Sequence, residues 1–331
     1  MHDIVVIGAS AGGIGALKEI TSGLSADLDA AIFVVVHVSP DSSGLLANIL
    51  NRRSKIPAHQ AEDGEAIRPG RIYVAAPDRH LLLEGNEVRV VNGPRHNRHR
   101  PAIDLLFRTA ARHFGERVVG VVLTGFLDDG SSGLLAIHNA GGTTIIQSPD
   151  DAEVASMPKS ALEQVQPDYC VPLTEIANII NRLAGVEAKP MAHRSNHKKK
   201  TQKKRTQTPF TCPDCHGTIW EVEENGDICF ECRVGHSYSP EGMFQANDED
   251  VERSLWVALR SLEESAALER RLAETAQKRG RTHAYKRFAE RATERTHHAA
   301  VLREVLLGSK RRQSEAEGTE EETTEQVEQV S

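Results

Sequence analysis

Apolar residues fall along this chain in short, dense runs set between segments of helical period. Ile4-Val5-Val6-Ile7, Ala31 to Val36, Val118 to Leu123 and Thr143 to Ile146 are apolar on both faces. That is the pattern of strands covered on both sides. Between them, Ile14 to Leu24, Leu45 to Arg52, Ala102 to Phe114 and Gly133 to Ala140 read as helices. The alternation predicts an α/β fold, a three-layer doubly wound mostly parallel sheet. Arg71 to Val74 and Glu87 to Val90, with Glu84-Gly85-Asn86 as a turn, predict an inserted hairpin. Behind residue 186 the pattern changes, and a small metal-bound module and C-terminal helices are expected.

The expected divisions are 1–186 for the α/β domain, 187–209 for a basic disordered linker, 210–240 for a cysteine module, 248–308 for a helical region and 309–331 for an acidic disordered tail. The linker reading rests on seven basic residues between Arg194 and Arg205 without one acid. The tail reading rests on seven Glu between Glu315 and Glu328 with no Lys or Arg. Leu255, Leu259, Leu262 and Ala266 repeat at helical spacing, and Gly280 is expected to divide two helices. Net charge is -7, which gives no argument for nucleic acid as a partner. No apolar stretch approaches the roughly 18 residues of a membrane span, and the N-terminus lacks a basic, apolar leader. The expectation is a cytoplasmic protein with no membrane insertion.

Gly8-Ala9-Ser10-Ala11-Gly12 lies between the first strand and the first helix and fits G-x-S-x-G, the nucleophile elbow. Small neighbours permit the sharp turn, and the helix N-terminus offers N–H groups for an oxyanion. A serine needs a base. His37, at the end of the second strand, is expected at the same sheet edge. The strand ending at Leu123 runs into Thr124-Gly125-Phe126-Leu127-Asp128-Asp129-Gly130 and brings acids there. The bland readings are a structural histidine and a phosphate-cradling loop. Against a dehydrogenase, the glycine spacing is off by one, and neither Tyr73 nor Tyr169 has Lys four residues on.

The order Ser, His, Asp differs from that of α/β-hydrolases. Ile7 to Gly13, the His37 segment and Leu123-Thr124-Gly125 to Asp129-Gly130 together resemble the catalytic domain of the CheB methylesterase family. So do Tyr73 to His80, Arg100 to Phe107 and Ser156 to Ala161. The resemblance spans residues 1 to about 184. It implies a serine hydrolase that demethylates glutamate methyl esters on chemoreceptors, releasing methanol, and can deamidate glutamines. It implies Ser10 as nucleophile, His37 as general base and Asp129 as orienting acid, with no cofactor for catalysis. The expected partner is a methyl-accepting chemoreceptor or a related sensory protein. Asp128 stands where the family usually has Asn, Ala11 where it often has Thr, and Phe126 where it has Met. Typical members carry an N-terminal receiver domain. Here the esterase-like segment begins at residue 3, so regulation is expected to be constitutive, from another chain, or from the C-terminal region. The rival to an enzyme is a signalling adaptor that uses the metal module and helices for docking.

Cys212-x-x-Cys215 and Cys229-x-x-Cys232 have the spacing of a zinc ribbon. His236 follows closely, so the expected zinc ligands are Cys212, Cys215, Cys232 and either Cys229 or His236. Free or redox-active thiols are the bland alternative. With its ligands saturated, such a site would serve docking and not catalysis. Cys170 is expected to be a small buried residue.

Overall fold

The computed structural model describes residues 2–42, 44–185, 204–224 and 227–328. Elements follow in the order β1 (Ile4–Ala9), α1 (Gly13–Gly23), β2 (Ala31–Val36), α2 (Leu46–Asn51), β3 (Ala58–Gln60), β4 (Arg71–Val74), β5 (His80–Glu84), β6 (Glu87–Val91) and α3 (Ile103–Phe114). Then come β7 (Val118–Val122), α4 (Ser131–Asn139), β8 (Thr143–Gln147), α5 (Ser156–Gln164), β9 (Tyr169–Val171) and α6 (Leu173–Ala184).

Seven strands form one parallel sheet in the order β3-β4-β2-β1-β7-β8-β9. Alternate residues of each strand feed different cores, as a pleated strand requires. Val5, Ile7 and Ala9 join Leu17, Ile20, Leu50, Ile176 and Ile180 beneath α1, α2 and α6. Ile4 and Val6 join Leu106, Phe107, Leu134 and Met157 beneath α3, α4 and α5. This is the three-layer doubly wound arrangement expected. After β1 the chain builds outward through β2, and β7 later takes the opposite side of β1. Such a switch point opens a crevice at the carboxyl ends of the strands.

The inserted hairpin differs from expectation. Arg71–Val74 belongs to the main sheet, paired with β2, and the hairpin is β5 with β6 around Gly85. Leu81, Leu83 and Val88 are fully buried and pack its inner face onto the α3 side. The turn signal was sound, but the run before it, His80 to Glu84, supplies the partner strand. Cys170 is exposed on edge strand β9, not buried.

The module begins earlier than residue 210. Strands β10 (Lys204–Thr211), β11 (Thr218–Glu224), β12 (Asp227–Cys232) and β13 (Ser237–Tyr238) make an antiparallel sheet. Lys204 lies opposite Glu223, and the Arg205 guanidinium sits 4.7 Å from the Trp220 ring centroid. The end of the basic run therefore finds an acidic, aromatic strand to pair with. The expected linker from 187 to 203 lies outside the described residues.

Helix α7 (Pro240–Lys278) starts before residue 248, and α8 is Thr282–Glu328. Gly280, with φ 65°, separates them as expected. The helix continues through most of the stretch read as an acidic disordered tail. Glu and Gln are good helix formers, and an apolar face is not required to extend a helix already begun. Leu259, Ala299 and Leu306 are buried where α7 and α8 pack. Glu269, also buried, takes Arg291 and Arg295 at 3.0 Å each.

Candidate active site

Three strand ends in the crevice carry the three expected groups. Ser10 follows β1, His37 follows β2, and Asp129 lies in the loop after β7. Ala9 pairs with Val36, and the His37 N–H donates to the Ala9 carbonyl at 3.2 Å. That register places Ser10 beside His37 across adjacent strands. Both line a cleft of about 220 Å³ together with Gly12, Val36 and Glu153.

The elbow is possible only because its neighbours are small. A Cβ on Gly125 would lie 2.7 Å from the Ser10 Cβ and 2.8 Å from the Met157 Sδ. Gly12, at φ 74°, caps α1 in the left-handed region that a side chain would strain. The Thr124 hydroxyl donates to the Ala11 carbonyl at 3.0 Å and ties this turn to the β7 loop.

The His37 Nε2 lies 2.7 Å from an Asp129 carboxylate oxygen. Asp129 is buried and ionised: burial alone would raise its pKa, but the hydrogen bond and charge of His37 outweigh that and hold it well below the usual carboxylate range. The Ile103 and Asp104 N–H groups also donate to this carboxylate, at 2.8 and 3.0 Å. They are orphan donors at the start of α3, so the helix N-terminus faces the acid. Since Asp129 can only accept, Nε2 carries the proton. His37 Nδ1, buried and without a hydrogen-bond partner, is then the basic nitrogen.

Asp104 repeats this device in reverse. Its carboxyl accepts from the Gly130 and Gly133 N–H groups at 3.0 and 2.6 Å, capping α4. Each of two adjacent helices is thus capped by an acid from the other's starting segment. Burial, and then the charge of Asp129, push Asp104 up to about 8, so Asp104 keeps the proton while Asp129 stays charged. Sequence reading passed over Asp104 because a cap across 26 residues leaves no local spacing. Asp128, also buried, is likewise pushed up, chiefly by burial, and makes no bond to His37.

A second unforeseen neighbour is His99, whose ring stacks on His37 with centroids 3.6 Å apart and planes 6° from parallel. Burial lowers the His99 pKa to about 4, so the ring beside His37 is neutral. The Leu127 N–H is taken by the Ser156 hydroxyl at 3.0 Å, which fixes the loop carrying Phe126.

In the module, Cys212, Cys215, Cys232 and His236 bring one donor atom each to within 4.8 Å of the others. Cys215 and Cys232 sulfurs lie 3.7 Å apart, and the His236 Nδ1 lies 3.6 and 3.5 Å from the Cys212 and Cys232 sulfurs. Zinc–thiolate bonds of about 2.3 Å imply tetrahedral edges of about 3.8 Å, so the donor set fits. Cys229 is outside this group. It sits three residues before Cys232 on β12, and odd spacing on a strand turns the two side chains to opposite faces. The Tyr238 hydroxyl donates to Asp214 at 2.7 Å and lies 3.4 Å from the Cys212 sulfur, which packs that sulfur in place. No described helix is long and apolar enough to cross a membrane.

The α/β domain is similar to known proteins. A family profile described as CheB methylesterase matches residues 5–180. A relative from Leptospira interrogans is 40% identical over 183 residues, 55% of this chain and 95% of its own. One from Anaeromyxobacter dehalogenans, named protein-glutamate methylesterase/protein-glutamine glutaminase 4, is 40% identical over 186 residues, and this match spans only 52% of that protein. The crystal structure of the Thermotoga maritima CheB methylesterase catalytic domain superposes with a TM-score of 0.53 at 34% identity. The match covers 55% of this chain and 99% of that one.

Proposed function

Because this chain belongs to the CheB methylesterase family, we propose that it hydrolyses glutamate methyl esters on a chemoreceptor or related sensory protein through an acyl-enzyme on Ser10. The observation that carries the reading is the 2.7 Å His37–Asp129 pair set beside Ser10 at the switch point of the sheet.

In the first half, the Ser10 Oγ attacks the ester carbonyl and its proton passes to His37 Nδ1. The imidazolium forms against an ionised Asp129, which holds the ring in the tautomer the step needs. Backbone N–H groups at the elbow, that of Ala11 among them, would hold the developing oxyanion. His37 then gives its proton to the departing methoxide, and methanol leaves. In the second half, water attacks the acyl group, His37 takes the water's proton, and Ser10 leaves with it, giving free glutamate. A glutamine side chain would follow the same course and release ammonia. Nucleophile, base and acid all come from the chain, so no cofactor enters the chemistry.

Cys212, Cys215, Cys232 and His236 are read as a structural zinc site. Metal would there hold together a module too small to have much core. Reduced thiols of this kind suit the cytoplasm.

The test is methanol release from a methylated receptor, wild type against Ser10→Ala. The wild type should release methanol and Ser10→Ala should fall by at least roughly 10³-fold. Equal rates would overturn the proposal.

A further inference from the structure

The loop that carries His99 is held from two directions. Its base is held by the α/β domain. The His80 Nε2–H donates to the Pro94 carbonyl at 2.9 Å, and Arg100 donates to the Gly93 carbonyl at 2.7 Å and to Asp78 at 2.9 Å. Its tip is a tight turn. His96 and His99 exchange backbone hydrogen bonds at 3.2 and 2.9 Å, and Asn97 and Arg98 between them both have positive φ, 46° and 64°. That is the pattern of a two-residue type I′ turn. It favours Gly at the second central position, where this chain has Arg98.

The tip is gripped by the cysteine module. The Asn97 N–H donates to the Ser237 carbonyl at 2.8 Å, and the Ser239 N–H donates to the Asn97 side-chain oxygen at 2.7 Å. His96 and Ser237 form a parallel bridge, and Asn97 is only 4% exposed. Packing is tight on both sides of this contact. A Cβ on Gly235 would fall 2.9 Å from Pro94, and one on Gly242 would fall 3.0 Å from the Asn97 Oδ1. His236, one of the four clustered donors, directly precedes Ser237.

We propose that the module clamps the catalytic histidine: through Ser237 and Ser239 it fixes the Asn97 turn, and the turn presses His99 flat against His37. Asn97 is a positioning residue in this account and His99 the part that touches the base. His99 supplies a flat neutral wall that limits how far the imidazole can swing as it takes and returns a proton. A ring so confined meets Ser10 in one orientation, and misplacement of about 1 Å can cost two orders of magnitude. The folded state of the module is thereby coupled to turnover. This inference rests on the esterase reading for its kinetic consequence, but not for its structural one.

The test uses the full chain with Asn97→Gly, which keeps the positive φ free of strain and removes the side-chain anchor, and Asn97→Asp, which keeps the acceptor. Amide hydrogen exchange is read over residues 95–100 beside methanol release. Asn97→Gly should speed exchange in that segment and lower kcat by roughly 10- to 100-fold with KM little changed. Asn97→Asp should restore both. Cys212→Ser, which disturbs the module from a distance, should raise exchange in the same segment. Unchanged exchange or unchanged kcat in Asn97→Gly, with a wild type that is active, overturns the clamp. An inactive wild type with the exchange change intact would instead count against the esterase reading.

Discussion

Replacing Asp129 by Asn probes the site at its most connected atom group. The carboxylate accepts three donors: His37 Nε2 at 2.7 Å and Ile103 N at 2.8 Å on one oxygen, Asp104 N at 3.0 Å on the other. An amide can accept on one side only. With its oxygen toward His37, its NH2 faces the Asp104 N–H; turned over, it faces both His37 and Ile103. One buried donor at least is left unpaired, at about 1–3 kcal/mol. The lost charge at the α3 N-terminus adds up to about 2 kcal/mol. Part is recovered, because the Asp104 carboxyl no longer feels its charged neighbour. The net expectation is a loss of about 2–4 kcal/mol in stability. For turnover, loss of the tautomer-setting acid in a triad lowers kcat by roughly 10⁴. Urea unfolding and methanol release, measured on the same preparation, separate the two effects. A variant that remains folded at the assay temperature with kcat within threefold of wild type would refute the orienting role.

Other expectations follow from single contacts. Gly125→Ala brings a methyl group within 2.7 Å of the Ser10 Cβ and 2.8 Å of the Met157 Sδ; it should cut kcat by at least tenfold, roughly, by moving the nucleophile, as steady-state methanol release will show. Cys229→Ser should retain one bound zinc per chain and His236→Ala should lose it, by metal analysis after dialysis. The His96 imidazole is held down to about 4 by burial, so it is neutral in the folded state while the unfolded chain protonates it near 6.5. Stability from this group is therefore present above pH 6.5 and lost as pH falls toward 4. Unfolding free energies of His96→Gln, from urea titrations, should fall less steeply over that window, by about 1.4 kcal/mol per pH unit at most.

The strands β1, β2, β7 and β8 were legible because runs such as Val34-Val35-Val36 are apolar on both faces. Ser10 and His37 were legible because each directly follows such a run, and strand ends at a switch point converge; the run before Thr124 brought two adjacent acids to that edge, and only the family resemblance singled out Asp129 from Asp128. What escaped notice depends on partners distant in sequence. Arg71–Val74 has a strand's composition, but only its pairing with β2 excludes it from the hairpin. Lys204 and Arg205 look like solvated linker until Glu223 is seen opposite Lys204 and the Trp220 ring against the Arg205 guanidinium. Asp104, in the first turn of α3, and Asp129, in the loop before α4, each cap the other's helix, and no periodicity marks a cap of that kind. Spacing alone left His236 and Cys229 open as the fourth donor; the side-chain cluster that includes His236 and leaves Cys229 outside appears only in three dimensions.

The proton line from alcohol to imidazole to carboxylate is tested most directly by covalent capture with a fluorophosphonate, which reacts only with an activated serine. Peptide mapping of the labelled full chain should find one adduct, on Ser10, and His37→Gln should abolish it while the fold persists. Labelling at another residue, or Ser10 labelling undiminished in His37→Gln, would contradict the account.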